Sequence, residues 1–243
     1  MVESFSQSKK RVGIEISDKR LTAVAVDDNE AVVSVKVIDR KDVEDTVAGV
    51  TNLIDDLRSE MHSFQSVGIA VPGLIDKKTR RIAYSTSFPG YSDIDLVRDV
   101  TAATGLAVVL ENDANAAAYG EFALGAGRGS KDLFYVTLGE GVGGAFILDR
   151  KIWRGAGGFA GEFGYVAINS EGRRLEQVAS TRNIVRRTQS RFHQDSTSSL
   201  NKLAEESITL DDIIAAAERE DDFAQMMLER TGMYIGTAIA SVI

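Results

Sequence analysis

The residues best suited to chemistry fall together at Glu111, Asn112 and Asp113, which follow the apolar run "LAVVL" (106–110) and precede an alanine-rich stretch. Two carboxylates and a carboxamide thus stand where a strand is expected to stop and a helix to begin. Two chemistries suit that position. Asp113 or Asn112 caps the helix, accepting hydrogen bonds from its orphan N–H groups. Alternatively, ligands of α/β folds bind beyond the carboxyl ends of strands, and a helix N-terminus favours an ionised carboxylate there. Asp113 would then accept a proton from a substrate hydroxyl, the base role in hydroxyl phosphorylation.

Two glycine-rich segments bear on the choice. "GGFAGEFGY" (157–165) sets four glycines around Glu162. It is either a turn with a solvated glutamate or a loop whose backbone approaches a ligand and projects one carboxylate. "LGEGVGGAFIL" (138–148) formally matches G-x-G-x-x-G at Gly139, Gly141 and Gly144. A dinucleotide fingerprint must open a helix, whereas "AFIL" continues as a strand, so that reading is rejected. What remains is a hairpin turn whose backbone amides suit a phosphate.

These groups need a scaffold. "RVGIEI", "LTAVAVD" and "AVVSVKVI" are rich in valine and isoleucine and read as strands joined by short polar turns. Residues 43–61 place Val43, Val47, Val50, Leu53, Ile54, Leu57 and Met61 at helical spacing. "VGIAVPG" (67–73) reads as a buried strand, 95–105 as a helix closed by glycine, and 106–110 as another strand. The alternation predicts an α/β lobe with a mixed sheet over residues 11–114, after a polar leader at 1–10. A second lobe is expected over 115–243, with "DLFYVTL" and "GGAFIL" as strands. Beyond Leu175 it is expected to be helical except for a polar loop at 192–199. The chain closes on "GMYIGTAIASVI", which lacks cap and polar tail, and the second lobe is expected to be truncated there.

Composition narrows the function classes. The 243 residues carry a net charge of −8, which argues against a sequence-independent grip on nucleic acid or an anionic membrane. No apolar run spans a bilayer and no signal-peptide pattern opens the chain. Cysteine is absent, so disulfides and thiolate metal sites are excluded and a cytoplasmic location is expected.

The sequence resembles the ROK family of bacterial sugar kinases and sugar-responsive repressors. The resemblance rests on "VGIAVPGLID", "FPGY", "ENDANAAAYGEFALGAG", "LGEGVGGAFILDRKIWRGAGGFAGEFGYV" and "LEQVAS", in that order, between about Val12 and Ile243. It implies a two-lobed ribonuclease H-like or actin-like ATPase fold, with sugar in the cleft and ATP against the second lobe. By position it implies Asp113 as the base, and Asn112, Glu162 and Glu176 as ligands of sugar hydroxyls. It also implies a sugar entrance lined by Pro89 and Gly90 of "FPGY". Glu15, Ser17 and Lys19 occupy the first phosphate hairpin, with Glu15 a possible magnesium contact; Gly139, Gly141 and Gly143 occupy the second. The implied partners are a hexose such as glucose or N-acetylglucosamine, ATP with magnesium, and a second copy of the chain.

The departures from the family pattern have consequences of their own. Asp-x-Gly-Gly-Thr in the first hairpin is here Glu15, Ser17, Asp18 and Lys19, and Gly-Thr-Gly in the second is Gly139-Glu140-Gly141. Carboxylates at both positions oppose a polyanion. Zinc-binding members carry a histidine where this chain has Tyr165, and a cysteine cluster where it has "INSEGRR", so no structural zinc is expected. Tyr165 is then expected to meet the sugar through its hydroxyl or to close the pocket. Three functions stay open: a hexose kinase, a sugar-binding sensor without catalysis, and an interaction module without ligand. With nothing before Val12 long enough for a helix-turn-helix, the chain by itself is not expected to bind DNA.

Overall fold

The computed structural model describes residues 10–61, 64–76, 78–85 and 94–242. Its first sheet is built where the β-branched runs predicted it: β1 (Arg11–Ile16), β2 (Arg20–Val26) and β3 (Val32–Asp39) form an antiparallel meander. Helix α1 (Thr46–Met61) then returns the chain to β4 (Ser66–Val71), parallel to β1. The helix starts three residues later than periodicity suggests, because Val43 is extended and the Asp45 carboxylate caps the first turn by accepting the Ala48 N–H at 2.7 Å.

A short ribbon, β5 (Leu74–Ile75) with β6 (Ile82–Tyr84), follows the Pro72-Gly73 corner. Gly73 has φ +136°, and a side-chain carbon there would lie 2.5 Å from the Tyr84 carbonyl oxygen, so only glycine makes the turn. Helix α2 (Leu96–Thr104) leads to β7 (Ala107–Asn112), parallel to β4. The sheet order is β3-β2-β1-β4-β7. Its core places Ile14, Leu21, Ile69 and Val71 against Leu53, Ile54 and Leu57 of α1. Each such fully buried aliphatic contributes about 1.5–3 kcal/mol relative to exposure.

Helix α3 (Asp113–Ala123) starts directly from β7. Strands β8 (Leu133–Leu138), β9 (Val142–Leu148) and β10 (Lys151–Trp153) make a second sheet of order β10-β9-β8. The chain groups into two compact units, residues 1–133 with 146–160 and residues 134–145 with 161–243. The division expected at 114/115 therefore falls inside the first unit.

In the second unit, α4 (Glu176–Ala179) and α5 (Thr181–Gln189) precede α6 (Leu210–Glu218) and α7 (Asp222–Ala240). The polar loop expected at 192–199 runs on to Ser207, passing through 3-10 turns at Phe192–Gln194, Ser199–Lys202 and Glu205–Ser207. It is less polar in role than in composition. Phe192, Leu200 and Ile208 are buried among Ile213, Phe223 and Met227, so the segment fills the core between α5, α6 and α7. Among the described residues, no helix is long and apolar enough to cross a membrane.

Candidate functional site

The register places the candidate residues at the carboxyl ends of the parallel strands. Glu15 of β1 pairs with Ala70 of β4, and Ala70 pairs with Glu111 of β7. Paired residues share a face of a sheet, so Glu15 and Glu111 stand in one row on the face opposite the α1 core. Asp113 begins the helix two residues beyond Glu111.

The cap belongs to Asn112. Its Oδ1 accepts the Asn115 N–H at 3.0 Å, and its Nδ2 donates to the Gly73 carbonyl at 3.0 Å and to Asp113 Oδ1 at 3.0 Å. Both amide hydrogens are thus engaged, which leaves an oxygen lone pair as the polar capacity Asn112 retains for a ligand. Asp113 Oδ1 also accepts the Ala114 N–H at 2.9 Å. Burial pushes the Asp113 carboxyl above its ordinary range and the Glu15 charge adds to this, against the opposing hydrogen bonds from Ala114 and Asn112. A carboxylate so placed is a stronger base than a solvated one.

Glu111 has no assigned role in the sequence reading, yet it organises the corner. Its Oε1 accepts the Asn112 N–H at 3.1 Å and the Nδ2 of buried Asn115 at 3.0 Å. Its Oε2 takes the Arg154 guanidinium, with Nε at 3.2 Å and Nη2 closer still. The i, i+4 spacing of Glu111 and Asn115 is visible in the sequence. Arg154, 43 positions away, carries no local signal.

In the second unit, the turn between β8 and β9 closes with Gly139 N–H donating to the Gly141 carbonyl at 2.9 Å. Glu176 Oε2 accepts the Val142 N–H at 3.0 Å and would meet a side-chain carbon at Gly141 at 3.0 Å. Thr181 at the start of α5 donates to the Gly139 carbonyl at 2.8 Å. Gly161 (φ +98°) and Gly164 bring the "GEFG" loop onto β9, where a side-chain carbon at Gly161 would lie 2.7 Å from the Gly144 carbonyl. Glu162 is exposed and Phe163 is buried against Phe134. Tyr165 is 48% exposed beneath the Arg174 guanidinium, 4.6 Å from its ring centroid. Gly143 lies in β9 itself, next to the turn. Pro89 and Gly90 lie outside the described residues, as does His62; His193 is exposed.

Part of the donor set at each hairpin turn is already engaged. In the first, Ser17 Oγ donates to the Arg20 carbonyl at 3.0 Å and accepts the Arg20 N–H at 3.1 Å, so hydroxyl and amide satisfy one another beside exposed Asp18. In the second, the Val142 amide is held by a carboxylate and Glu140 is exposed next to it. The Ser17 hydroxyl, the Arg20 amide and the Val142 amide are therefore already engaged within the chain. Among the described residues no cluster of three histidines or carboxylates fits a metal ion.

The whole of this span, residues 11–243, matches the model of the ROK family. The chain belongs to the ROK family. Its fold is the α/β, actin-like fold of ROK sugar kinases. It is 33% identical over 210 residues to a glucokinase of Halalkalibacterium halodurans, a match covering 79% of this chain and 63% of that protein. It is 27% identical over 202 residues to the xylose repressor of Bacillus subtilis, covering 80% of this chain and 49% of the repressor. The chain thus spans less than two thirds of either relative. Among solved structures, a ROK glucokinase from Streptomyces griseus in complex with glucose and AMPPNP superposes with a TM-score of 0.79 at 29% identity, over 96% of this chain and 78% of that one.

Proposed function

We propose that this ROK chain binds a hexose and belongs to a hexose kinase in which Asp113 takes the proton of the hydroxyl to be phosphorylated. The observation that carries this reading is the state of Asp113. It is oriented through Oδ1 by Ala114 and Asn112, and burial raises its proton affinity. The glucokinase relatives support the substrate class. Glu162 and Glu176 are proposed as acceptors for sugar hydroxyls, since carboxylates form charge-assisted hydrogen bonds with them, and Tyr165 as a further contact through its hydroxyl. ATP with magnesium is the phosphoryl donor this family reading calls for.

A second reading is favoured by the occupied hairpins: a sensor that binds hexose without phosphorylating it, in keeping with the xylose repressor among its relatives. Titration calorimetry of the full native chain with glucose and N-acetylglucosamine, with and without magnesium-AMPPNP, separates the two. Hexose binding that tightens with nucleotide, and sugar phosphate formation that Asp113→Asn abolishes, is the kinase result. Hexose binding indifferent to nucleotide is the sensor result, and absence of hexose binding overturns both. We also infer a cytoplasmic homodimer, and light scattering of the native chain tests the dimer.

A further inference from the structure

The second unit holds a cavity of about 710 Å³ that none of the proposed sugar or hairpin residues lines. Its ionisable lining is Arg173, Arg186, Arg187 and Arg191 against one carboxylate, Glu171, with Gln177, Ser190 and Tyr234 completing the polar wall. A chain of net charge −8 has gathered four arginines here, between Arg173 and Arg191. Glu176 of α4 is turned to the β8–β9 turn, while its neighbours Gln177 and Val178 line the cavity. Thr181, at one end of α5, meets Gly139, whereas the α5 residues lining the cavity begin at Arg186 toward the other end.

Arg187 is built in rather than draped over the surface. Its Nη1 donates to the Val178 carbonyl at 2.6 Å and to Thr231 Oγ1 at 3.1 Å, and its guanidinium lies 5.2 Å from the Tyr234 ring centroid. Its Nη2 is buried and has no hydrogen-bond partner among the described residues. Burial lowers its proton affinity, and the charges of Arg191, Arg230 and Arg173 lower it further, the Tyr234 oxygen alone opposing them. Among the described residues none of these arginines forms an ion pair with a carboxylate.

A helix C-terminus favours cations by a few tenths of a kcal/mol. That accounts for exposed Arg186. It does not account for a fixed, partly desolvated Arg187 that shares the cavity with Arg173 and Arg191 and is paired with no carboxylate. Such a cluster is self-repelling when empty and complementary to a multiply charged oxyanion. Phosphate suits it better than a single carboxylate, because its three oxygens take charge-assisted bonds from several guanidinium groups at once. The volume falls within the range of small-molecule sites.

We propose that this cavity binds a phosphorylated small molecule, with Arg173, Arg186, Arg187 and Arg191 as its anion ligands. The phosphoryl group is the shared chemistry of two sources, an inorganic polyanion such as pyrophosphate and a sugar phosphate. The second source rests on the kinase reading above.

The test is calorimetric titration of the full native chain with inorganic pyrophosphate, with glucose 6-phosphate and with glucose. It is repeated on Arg186→Glu/Arg191→Glu and, separately, on Arg173→Ala. Arg186, Arg191 and Arg173 are exposed, so the variants are expected to fold, and their melting temperatures check this. The expected result is binding of at least one phosphorylated probe, weakened at least about tenfold by the double charge reversal and less by Arg173→Ala, with glucose affinity unchanged. Tighter binding of glucose 6-phosphate than of pyrophosphate assigns the site to sugar phosphates, and the reverse order to inorganic polyanions. Either supports the proposal. It is overturned if neither probe binds in the millimolar range, or if both bind with the same affinity in the charge-reversed variant. Failure of glucose to bind would bear on the kinase reading and leave the pyrophosphate arm intact.

Discussion

Glu111 holds Arg154 on one carboxylate oxygen and the strand-to-helix corner on the other. The pair is only partly screened, with side-chain exposures of 22% for Glu111 and 37% for Arg154. Arg154→Ala leaves a half-buried carboxylate without its cation, and we expect it to cost on the order of 1–3 kcal/mol in urea unfolding. Glu111→Gln keeps an acceptor for Asn112 and Asn115 and should cost less. A loss below about 0.5 kcal/mol for Arg154→Ala would mean that the pair behaves as a solvated surface bridge.

The raised proton affinity of Asp113 makes a signed prediction for stability. Burial, and then the Glu15 charge, lift its folded-state pKa above the ordinary 3.8. The folded protein therefore holds this proton more tightly than the unfolded chain. The associated stability is fully present below the ordinary value and is lost as pH rises through the folded one. Asp113→Asn keeps the Oδ1 acceptor and removes the buried charge. It should raise the melting temperature at pH 7 and give no gain below the ordinary aspartate range. A variant that loses stability at pH 7 would contradict this. If Asp113 is the base, the acid limb of kcat/KM in the wild type should also lie above the ordinary aspartate value.

How much of this was legible in the sequence follows from the range of each interaction. The meander β1–β3, the parallel strands β4 and β7, and the corner at 111–113 arise from local β-branched runs and a cap, and they were readable. The cap itself was open between Asn112 and Asp113, because both side chains serve. Only geometry shows that Asn112 takes the role, its Nδ2 spanning to Gly73. The partnerships of Glu111 with Arg154 and of Glu176 with Val142 join residues 43 and 34 positions apart, and no periodicity announces them. The loop after α5 is found where polarity predicts it, but its part in the core is hidden for a related reason. Its polar composition masked single apolar residues, Phe192, Leu200 and Ile208, each placed by the tertiary core rather than by a local pattern.

Gly164 lies where the "GEFG" loop meets β9. A side-chain carbon there would overlap the Val142 carbonyl oxygen and stand 3.3 Å from the Glu176 Cβ. The obstacle is backbone, which has no rotamer to yield. Gly164→Ala is therefore expected to destabilise the second unit by about 2 kcal/mol or more. Gly172 has φ +73° but open space around it, so Gly172→Ala should cost less, on the order of 1 kcal/mol from backbone strain alone. Thermal melts of the two variants check the order, and equal losses would show that the loop shifts to admit the methyl group.

Glu176 offers the sharpest separation of the kinase and sensor readings, because one side chain touches both. Its Oε2 holds the Val142 amide at the second hairpin, and its other oxygen is the one proposed for a sugar hydroxyl. Glu176→Gln retains an acceptor for Val142 and removes the negative charge beside the turn. A like charge at close range in a partly exposed setting opposes a phosphate by on the order of 1 kcal/mol. If that charge is what excludes nucleotide, Glu176→Gln should tighten AMPPNP binding about fivefold while weakening hexose binding by a similar factor. Calorimetry with each ligand reads both changes. Weaker hexose with unchanged AMPPNP affinity would place the obstacle elsewhere at the turn, at Glu140 or in the geometry of the hairpin. Unchanged hexose affinity would remove Glu176 from the sugar site and leave it as the residue that fixes α4 on β9.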